Sequence, residues 1–395
     1  MSLKLISHSP DLSKLANEGY EIEVRSGYLL IHNVPYVNSK KEIRYGTLAS
    51  NLATAGERTG PPQPHLAYFV GEHPCNIDGT EIAQIKHGTG NTDLGGGLVA
   101  KFSFSYKRDG RDYVDYHEKM TTYILAIEGP AKAIDPKVTA RTHKPIKLAN
   151  DDSVFVYMDT ASSKGNFTAI SEKLALPRVA IVGVGGTGSY VLDFVSKTPV
   201  KEIHLFDGDD FLSHNAFRAP GAAGLEDWEQ GVPKKVDYLR NRYSKMHKGI
   251  VAHPYHIGES NVDELRAMTF VFICMDGGKA KKLIVEALEC AGMNFVDVGM
   301  DVQIGESGLT GLLRVTTSTP DKRDHFRSEV AFGDGSADDD YATNIQIADL
   351  NALNATLAVI KWKKLFGFYH DYNNEPSSTY TVEMNALQNG PFHAP

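Results

Sequence analysis

Two hydrophobic patterns divide the chain. In the first 150 residues apolar positions mostly alternate with polar ones. Segments 20–24 and 28–34 have the period of two expected of half-buried strands, and the short Arg25-Ser26-Gly27 link between them predicts a hairpin. Segment 10–18 reads as a short helix with Ser9 or Asp11 as cap. Further strands are expected at 66–70 and 98–106, on either side of a Pro/Gly cluster at 60–64 and a loop at 90–97 that ends in Gly95-Gly96-Gly97. Segment 112–128 fits either a strand or a helix, and Pro130, Pro136 and Pro145 then mark breaks.

Beyond about residue 175 the pattern changes. Short apolar runs at 177–182, 202–206, 250–255, 270–274 and 294–298 are separated by helical stretches at 189–196, 232–246, 262–266 and 279–291. Strands alternating with helices through short connections make a parallel sheet covered on both faces. Segment 345–366 predicts one long helix whose Leu350, Leu353, Leu357 and Ile360 recur at helical spacing, for core or dimer packing. The expected organisation is a smaller α+β domain at 1–150, a linker at 151–173, and a Rossmann-like, doubly wound α/β domain at 174–395.

Composition narrows the function. The net charge of −8 and pI near 6.0 argue against a dominant nucleic-acid role, although Lys361, Lys363 and Lys364 could form a local basic patch. Three cysteines, Cys75, Cys274 and Cys290, are too few and too widely spaced for a disulfide framework or a C-x-x-C zinc site. Together with no apparent signal peptide or membrane span, they favour a cytoplasmic setting. Single histidines such as His65, His117 and His143 lack metal-ligand spacing.

The densest chemical signal is V-A-I-V-G-V-G-G-T-G-S at 179–189. Gly183, Gly185 and Gly188 form G-x-G-x-x-G between an expected strand and an expected helix, where backbone N–H groups can approach a phosphate. Asp207 follows at the end of the next strand, as an acid that binds ribose hydroxyls would. A nicotinamide enzyme has the same features, so this turn alone does not separate ATP from NAD.

The next motifs do. Asp207-Gly-Asp209 is followed by Asn215 and Arg218, then by Gly231-Val-Pro-Lys234, and Asp276 follows the strand at 270–274. With Gly183, Gly185, Gly186 and Gly188, this order resembles the ThiF/MoeB/HesA family, which shares its fold with ubiquitin-activating enzymes. The resemblance covers about 174–368. It implies an activating-enzyme adenylation fold, with ATP and Mg²⁺ as cofactors and a carboxylate attacking the α-phosphorus to give an acyl-adenylate and pyrophosphate. By the same resemblance Asp207 holds the ribose, Arg218 and Lys234 the phosphates, Asn215 a phosphate oxygen and Asp276 the Mg²⁺, with Asp209 assisting. Its implied partners are a ubiquitin-like protein ending in glycine and a conjugating enzyme or target protein, and its implied assembly is a homodimer.

The chain also departs from the pattern. Gly277 stands where the family often has Asn, and the two C-x-x-C pairs of many members are missing, so no zinc is expected. No cysteine follows Cys290 to accept an activated carbonyl. The loop-like stretch 316–341, with Pro320, Arg323, His325 and Asp338-Asp339-Asp340, is a candidate crossover segment without a thiol. Cys274 and Cys290 read as buried. Cys75, beside His73 in a turn-like segment, is the remaining candidate nucleophile, because a neighbouring imidazole can lower a thiol pKa. Three readings follow: adenylation of a ubiquitin-like protein, adenylation of a peptide or tRNA without a thioester step, and a nucleotide-binding scaffold without catalysis.

Overall fold

The computed structural model describes residues 2–145, 153–165, 167–330, 332 and 345–390. It forms two compact units. The first comprises Met1–Ser153 with Tyr157–Thr168, the second Ala169–Pro395 with Val154–Val156.

The first unit opens with helices α1 (Ser2–His8) and α2 (Pro10–Asn17), of which α1 was not predicted. Six antiparallel strands follow: β1 (Glu21–Arg25), β2 (Tyr28–Val37), β3 (Ile43–Asn51), β4 (Ala67–Val70), β5 (Lys86–Asp93) and β6 (Val99–Phe104). Their order across the sheet is β1-β2-β3-β4-β6-β5. The predicted hairpin is β1–β2, closed by Ser26 and Gly27, both at positive φ. β3 and β5 escaped the reading, and the end of β5, from Gly90 to Asp93, overlaps the segment expected to be loop. Its sequence KHGTGNTD is polar and largely exposed, so no apolar alternation marks it.

Helix α3 (Tyr116–Ile134) settles the ambiguous segment and runs past Pro130. Asp115 caps it by accepting from Glu118 N at 2.8 Å. Its Tyr116, Met120, Tyr123, Ile124 and Ile127 join Leu12 and Leu15 of α2 and Ile22, Leu29 and Ile31 of the sheet in one core. Lys119 is buried in this helix. Its Nζ donates to Ser50 Oγ and Pro64 O, both at 2.7 Å, and burial pulls its pKa down to about 7.

The second unit is built on one eight-stranded sheet: β7 (Arg178–Val182), β8 (Glu202–Phe206), β9 (Ile250–His253), β10 (Phe270–Ile273), β11 (Phe295–Ile304), β12 (Leu309–Ser318), β13 (Ser377–Thr381) and β14 (Ala386–Asn389). The order is β9-β8-β7-β10-β11-β12-β13-β14. The first five strands are parallel and the rest antiparallel. The parallel half is the predicted Rossmann-like sheet. The antiparallel extension was not anticipated. Helices α4 (Gly186–Val195), α5 (Lys235–Tyr243), α6 (Lys279–Cys290) and α7 (Ala348–Leu365) complete the frame. Among the described residues no helix is long and apolar enough to cross a membrane.

Two cores cover the sheet. Val191, Leu192, Val236, Leu239, Ala355, Ala358 and Trp362 pack on one face, and Ile284, Val285, Leu288 and Phe326 on the other. The buried face of α7 departs in part from the predicted one, in which Leu350 is buried as expected and Leu353 and Leu357 are half-buried. Asn351, Asn354, Ala355, Ala358 and Trp362 point inward, whereas Ile360 is exposed. One buried ion cluster bridges helix and sheet: Asp297 of β11, fully buried, lies 2.6 Å from Lys281 Nζ of α6 and 2.7 Å from Arg314 Nη2 of β12.

Asp297→Leu strands Lys281 and Arg314 beside an apolar side chain. It is expected to destabilise the second unit by about 3–5 kcal/mol in urea unfolding. Lys119 gives a second expectation. Its folded pKa lies below the unfolded one, so between about pH 7 and pH 10 the unfolded chain binds the extra proton and stability rises with pH. Against Lys119→Met, the wild type should gain up to about 1.4 kcal/mol per pH unit over this window, as read by paired melts at pH 6.5 and pH 9.

Candidate functional site

The glycine turn sits where β7 meets α4. Gly183 has φ 84°, and a Cβ there would come within 2.7 Å of Cys274 O. A Cβ on Gly188 would lie 1.9 Å from Gly183 O, so both positions are closed to side chains by the turn's own packing. Gly185 differs. A Cβ on it would meet no neighbouring atom within 4 Å, and Gly185 lines a cleft at the end of the sheet. Gly183, Gly186 and Thr187 share that wall.

Asp207 fastens the turn. Its Oδ2 accepts from Val184 N and its Oδ1 from Asp209 N, both at 2.9 Å. Asp209 in turn accepts from Lys235 Nζ at 2.7 Å, and Lys235 Nζ lies 4.0 Å from Asp207 Oδ1. Burial raises the Asp209 carboxyl, but the hydrogen bond and charge of Lys235 outweigh it and hold the group below the usual carboxylate range.

The lysine on the cleft wall is Lys235, the first residue of α5, whereas the expected Lys234 does not line it. Lys234 occupies the N-cap position, and its Nζ turns away to Gly208 O at 2.8 Å and Asp210 Oδ1 at 2.9 Å. Asp209, expected beside the metal, is occupied by Lys235 and does not line the cleft.

Arg218 reaches the cleft from the turn after the short helix Ser213–Ala216. Asn215 shapes that turn. Its Oδ1 accepts from Leu212 N at 2.8 Å and its main-chain oxygen from Arg218 N at 3.1 Å. Asn215 does not line the cleft, and its Nδ2 is buried without a hydrogen-bond partner. Asp276 also lines the cleft. The N-cap position of α6 belongs to Gly278, at φ 112°, and not to Asp276.

Sequence reasoning missed the opposite wall. Val298, Gly299 and Met300 of β11 line it together with Gln346 and Asn354. The available signal was a pair of asparagines at helical spacing among the apolar positions of α7, which the leucine repeat obscured.

The cysteines also depart from expectation. Cys75 belongs to the first unit and is buried. Its Sγ donates to His73 O at 3.2 Å, and burial raises its pKa. His73 Nδ1 donates to Pro74 O at 2.9 Å, and its ring packs edge-on against Phe102 and Phe104. This is the reverse of an activated thiol. Cys290 is exposed rather than buried. Cys274 is half-buried on the cleft wall, where burial first and the nearby Asp297 second push its thiol up. The Asp338-Asp339-Asp340 run of the candidate crossover lies outside the described residues. Among the described residues no group of three His, Cys, Asp or Glu side chains is placed to hold a metal ion alone.

Comparison with known proteins agrees with this architecture. Residues 10–160 match a domain of unknown function, DUF6791. No curated protein matches the sequence significantly. Similar solved structures include E. coli MccB with ATP, at 16% identity and a TM-score of 0.45 over 57% of this chain and 67% of that one. The microcin C7 biosynthetic enzyme MccB in complex with N-formylated MccA is similar at 17% identity and a TM-score of 0.44, over 58% and 69%. PaaA is similar at 15% identity and a TM-score of 0.43, over 56% and 75%. The ThiF family profile matches residues 162–393, more than half of the chain, and the protein belongs to the ThiF family of adenylating enzymes.

Proposed function

We propose that the second unit binds ATP in this cleft and adenylates the C-terminal carboxylate of a polypeptide, in the first place a ubiquitin-like protein. The observation that carries the reading is the convergence of the glycine turn, Asp207, Arg218, Lys235 and Asp276 on one cleft. Two anionic reactants meet in such a reaction, so a site for it must supply fixed positive charge and backbone donors rather than a proton relay.

In this reading the backbone of 183–187 cradles the phosphates, and Gly185 leaves room for their close approach. Asp207 keeps lone pairs for the ribose hydroxyls while holding the turn. Arg218 offers a planar fork of donors and Lys235 a compact charge to the phosphate chain. A carboxylate oxygen of the substrate attacks the α-phosphorus. The bond from that phosphorus to the bridging oxygen breaks, and pyrophosphate leaves with the electron pair. The cleft suits a Mg²⁺ carried in with the nucleotide: Asp276 would offer it one hard carboxylate ligand, and the ion would supply charge neutralisation on the phosphates.

The first unit receives a recognition role in this proposal rather than a covalent one, because its single thiol, Cys75, is buried. We also propose a homodimer, for which Phe217 and Leu225, 87% and 86% exposed, are candidate contacts.

The function is tested by ATP–pyrophosphate exchange with the candidate carboxylate partner. Asp276→Ala and Lys235→Ala should each lower exchange by about 100-fold or more, the usual effect of losing a group that meets developing charge. Lys234→Ala should change it by less than about threefold, as expected for an exposed ion pair. Retained exchange in Asp276→Ala, or the reverse order of the two lysines, would refute these assignments. The assembly is tested by sedimentation, in which Phe217→Glu is expected to turn a dimer into a monomer.

A further inference from the structure

The outer edge of the second unit's sheet, β8 and β9, carries a row of polar side chains, none of which lines the cleft. β8 turns Ile203 and Leu205 into the core shared with α4 and α7, and so presents Glu202, His204 and Phe206 on its other face. His253 of β9 lies beside them. Its ring stacks on Phe206, with centroids 4.2 Å and planes 9° apart, and its Nε2 meets His204 Nδ1 at 3.0 Å. The row continues in both directions. His204 Nε2 meets Glu202 Oε2 at 3.2 Å, and His253 Nδ1 meets the Tyr255 hydroxyl at 2.9 Å. That hydroxyl donates to Glu264 Oε2 at 2.8 Å, in the short turn Val262–Ala267.

Four contacts join these five side chains, and each needs one hydrogen between its two heavy atoms. Two neutral imidazoles bring one hydrogen each, the tyrosine brings one, and carboxylates bring none. Three hydrogens cannot fill four contacts, so the closed row holds one extra proton. Either histidine can carry it as an imidazolium with every contact satisfied. The groups around the pair fix where it goes. Arg178, whose Nε donates to Glu202 Oε2 at 2.9 Å, and then His204 hold the Glu202 carboxyl below the usual range. Burial, and then Glu264, push the Tyr255 hydroxyl up to about 12, so it keeps its hydrogen. Asp263 and Arg266 of the same turn pair with each other at 3.0 Å. Burial first and His204 second lower the pKa of His253, against the pull of Glu264. The extra proton is therefore held in acid and lost as pH rises toward neutrality.

The row is fastened to the nucleotide side of the sheet. The main-chain oxygen of His253 accepts from Asp207 N at 3.3 Å. His256 covers Gly208, where a Cβ would come within 2.6 Å of its Nε2, and the same nitrogen lies 3.5 Å from Asp209 Oδ1. Asp207 and Asp209 are the acids that tie the glycine turn to Lys235. Segment 253–264 thus backs the acid loop from the outer edge of the sheet, and the Tyr255–Glu264 contact joins the two ends of that segment.

We propose that Glu202, His204, His253, Tyr255 and Glu264 form a proton-binding relay that tightens the nucleotide site. With one proton taken from solvent onto the histidine pair, the row closes and seats segment 253–264 against Asp207-Gly208-Asp209. With that proton returned, one contact opens and the backing of the acid loop loosens. The effect on ATP rests on the reading that the cleft binds ATP and adds a control that the reading does not contain.

The test measures the Kd for ATP of the full chain by calorimetry from about pH 5.5 to about pH 8.5, in the wild type and two variants. Glu264→Gln brings the missing hydrogen on its own amide. Its Nε2 donates to the tyrosine oxygen, the tyrosine to His253 Nδ1, His253 Nε2 to His204 Nδ1 and His204 Nε2 to Glu202, so its row closes with both imidazoles neutral. Tyr255→Phe cuts the row at every pH. Ratios to Glu264→Gln at the same pH cancel the titration of ATP itself and of His256, which faces Asp209 in every protein compared. The wild type is expected to match Glu264→Gln in acid and to bind about fivefold more weakly at the alkaline end, the worth of one hydrogen bond of about 1 kcal/mol. Tyr255→Phe should be about fivefold weaker throughout. A wild-type ratio that stays flat across the range overturns the inference and leaves ATP binding standing. Imidazole NMR titration in which His204 and His253 each take a full proton in separate steps also overturns it. Absence of ATP binding in the wild type removes the ATP-site reading and the inference together.

Discussion

The second unit depends on one carboxylate. Asp207 accepts from the amide of Val184 with one oxygen and from the amide of Asp209 with the other, so it joins the glycine turn to the strand end beside it. Two backbone N–H groups aimed at one carboxylate hold it oriented. The consequence extends outward. Asp209, fixed through its own amide, pairs with Lys235 and holds that cation at the mouth of the turn. The turn, Asp207 and Lys235 are thus set by a chain of three short contacts. An isolated Lys235 side chain would have several rotatable bonds to order on binding, and here that ordering is complete before any ligand arrives.

What could be read from the sequence follows from how strongly each segment's environment constrains it. The parallel strands are apolar on both faces, so runs such as Val-Ala-Ile-Val at 179–182 announced themselves, as did the turn and strand-end acids between them. The polar β5 and the Thr- and Ser-rich β13 are strands because of their neighbours, and their side-chain patterns do not reveal it. Lys234 and Lys235 are chemically identical and adjacent. Only the start of α5 decides which faces the cleft, because one residue of helix turns a side chain by about 100°. Asn354 was hidden for a related reason. The leucines of α7 suggested a conventional apolar stripe, whereas Asn351, Ala355 and Ala358 are the small or polar residues that let the helix lie close to the glycine turn.

The cleft has two walls of opposite hydrogen-bonding character. The wall made by the glycine turn, Arg218 and Lys235 offers donors and positive charge. The wall with Asn354 and Gln346 offers acceptors. Asp276 lines the same cleft.

The burial order of the three sulfur atoms has a practical corollary. Cys290 is open to solvent near the end of α6, Cys274 is half-covered with its proton held tightly, and Cys75 is enclosed. A maleimide dye applied briefly near neutral pH should therefore attach at one place, away from the cleft, and give a fluorescent reporter without any engineered residue. The tightly held proton also makes Cys274 a weak nucleophile on the cleft wall.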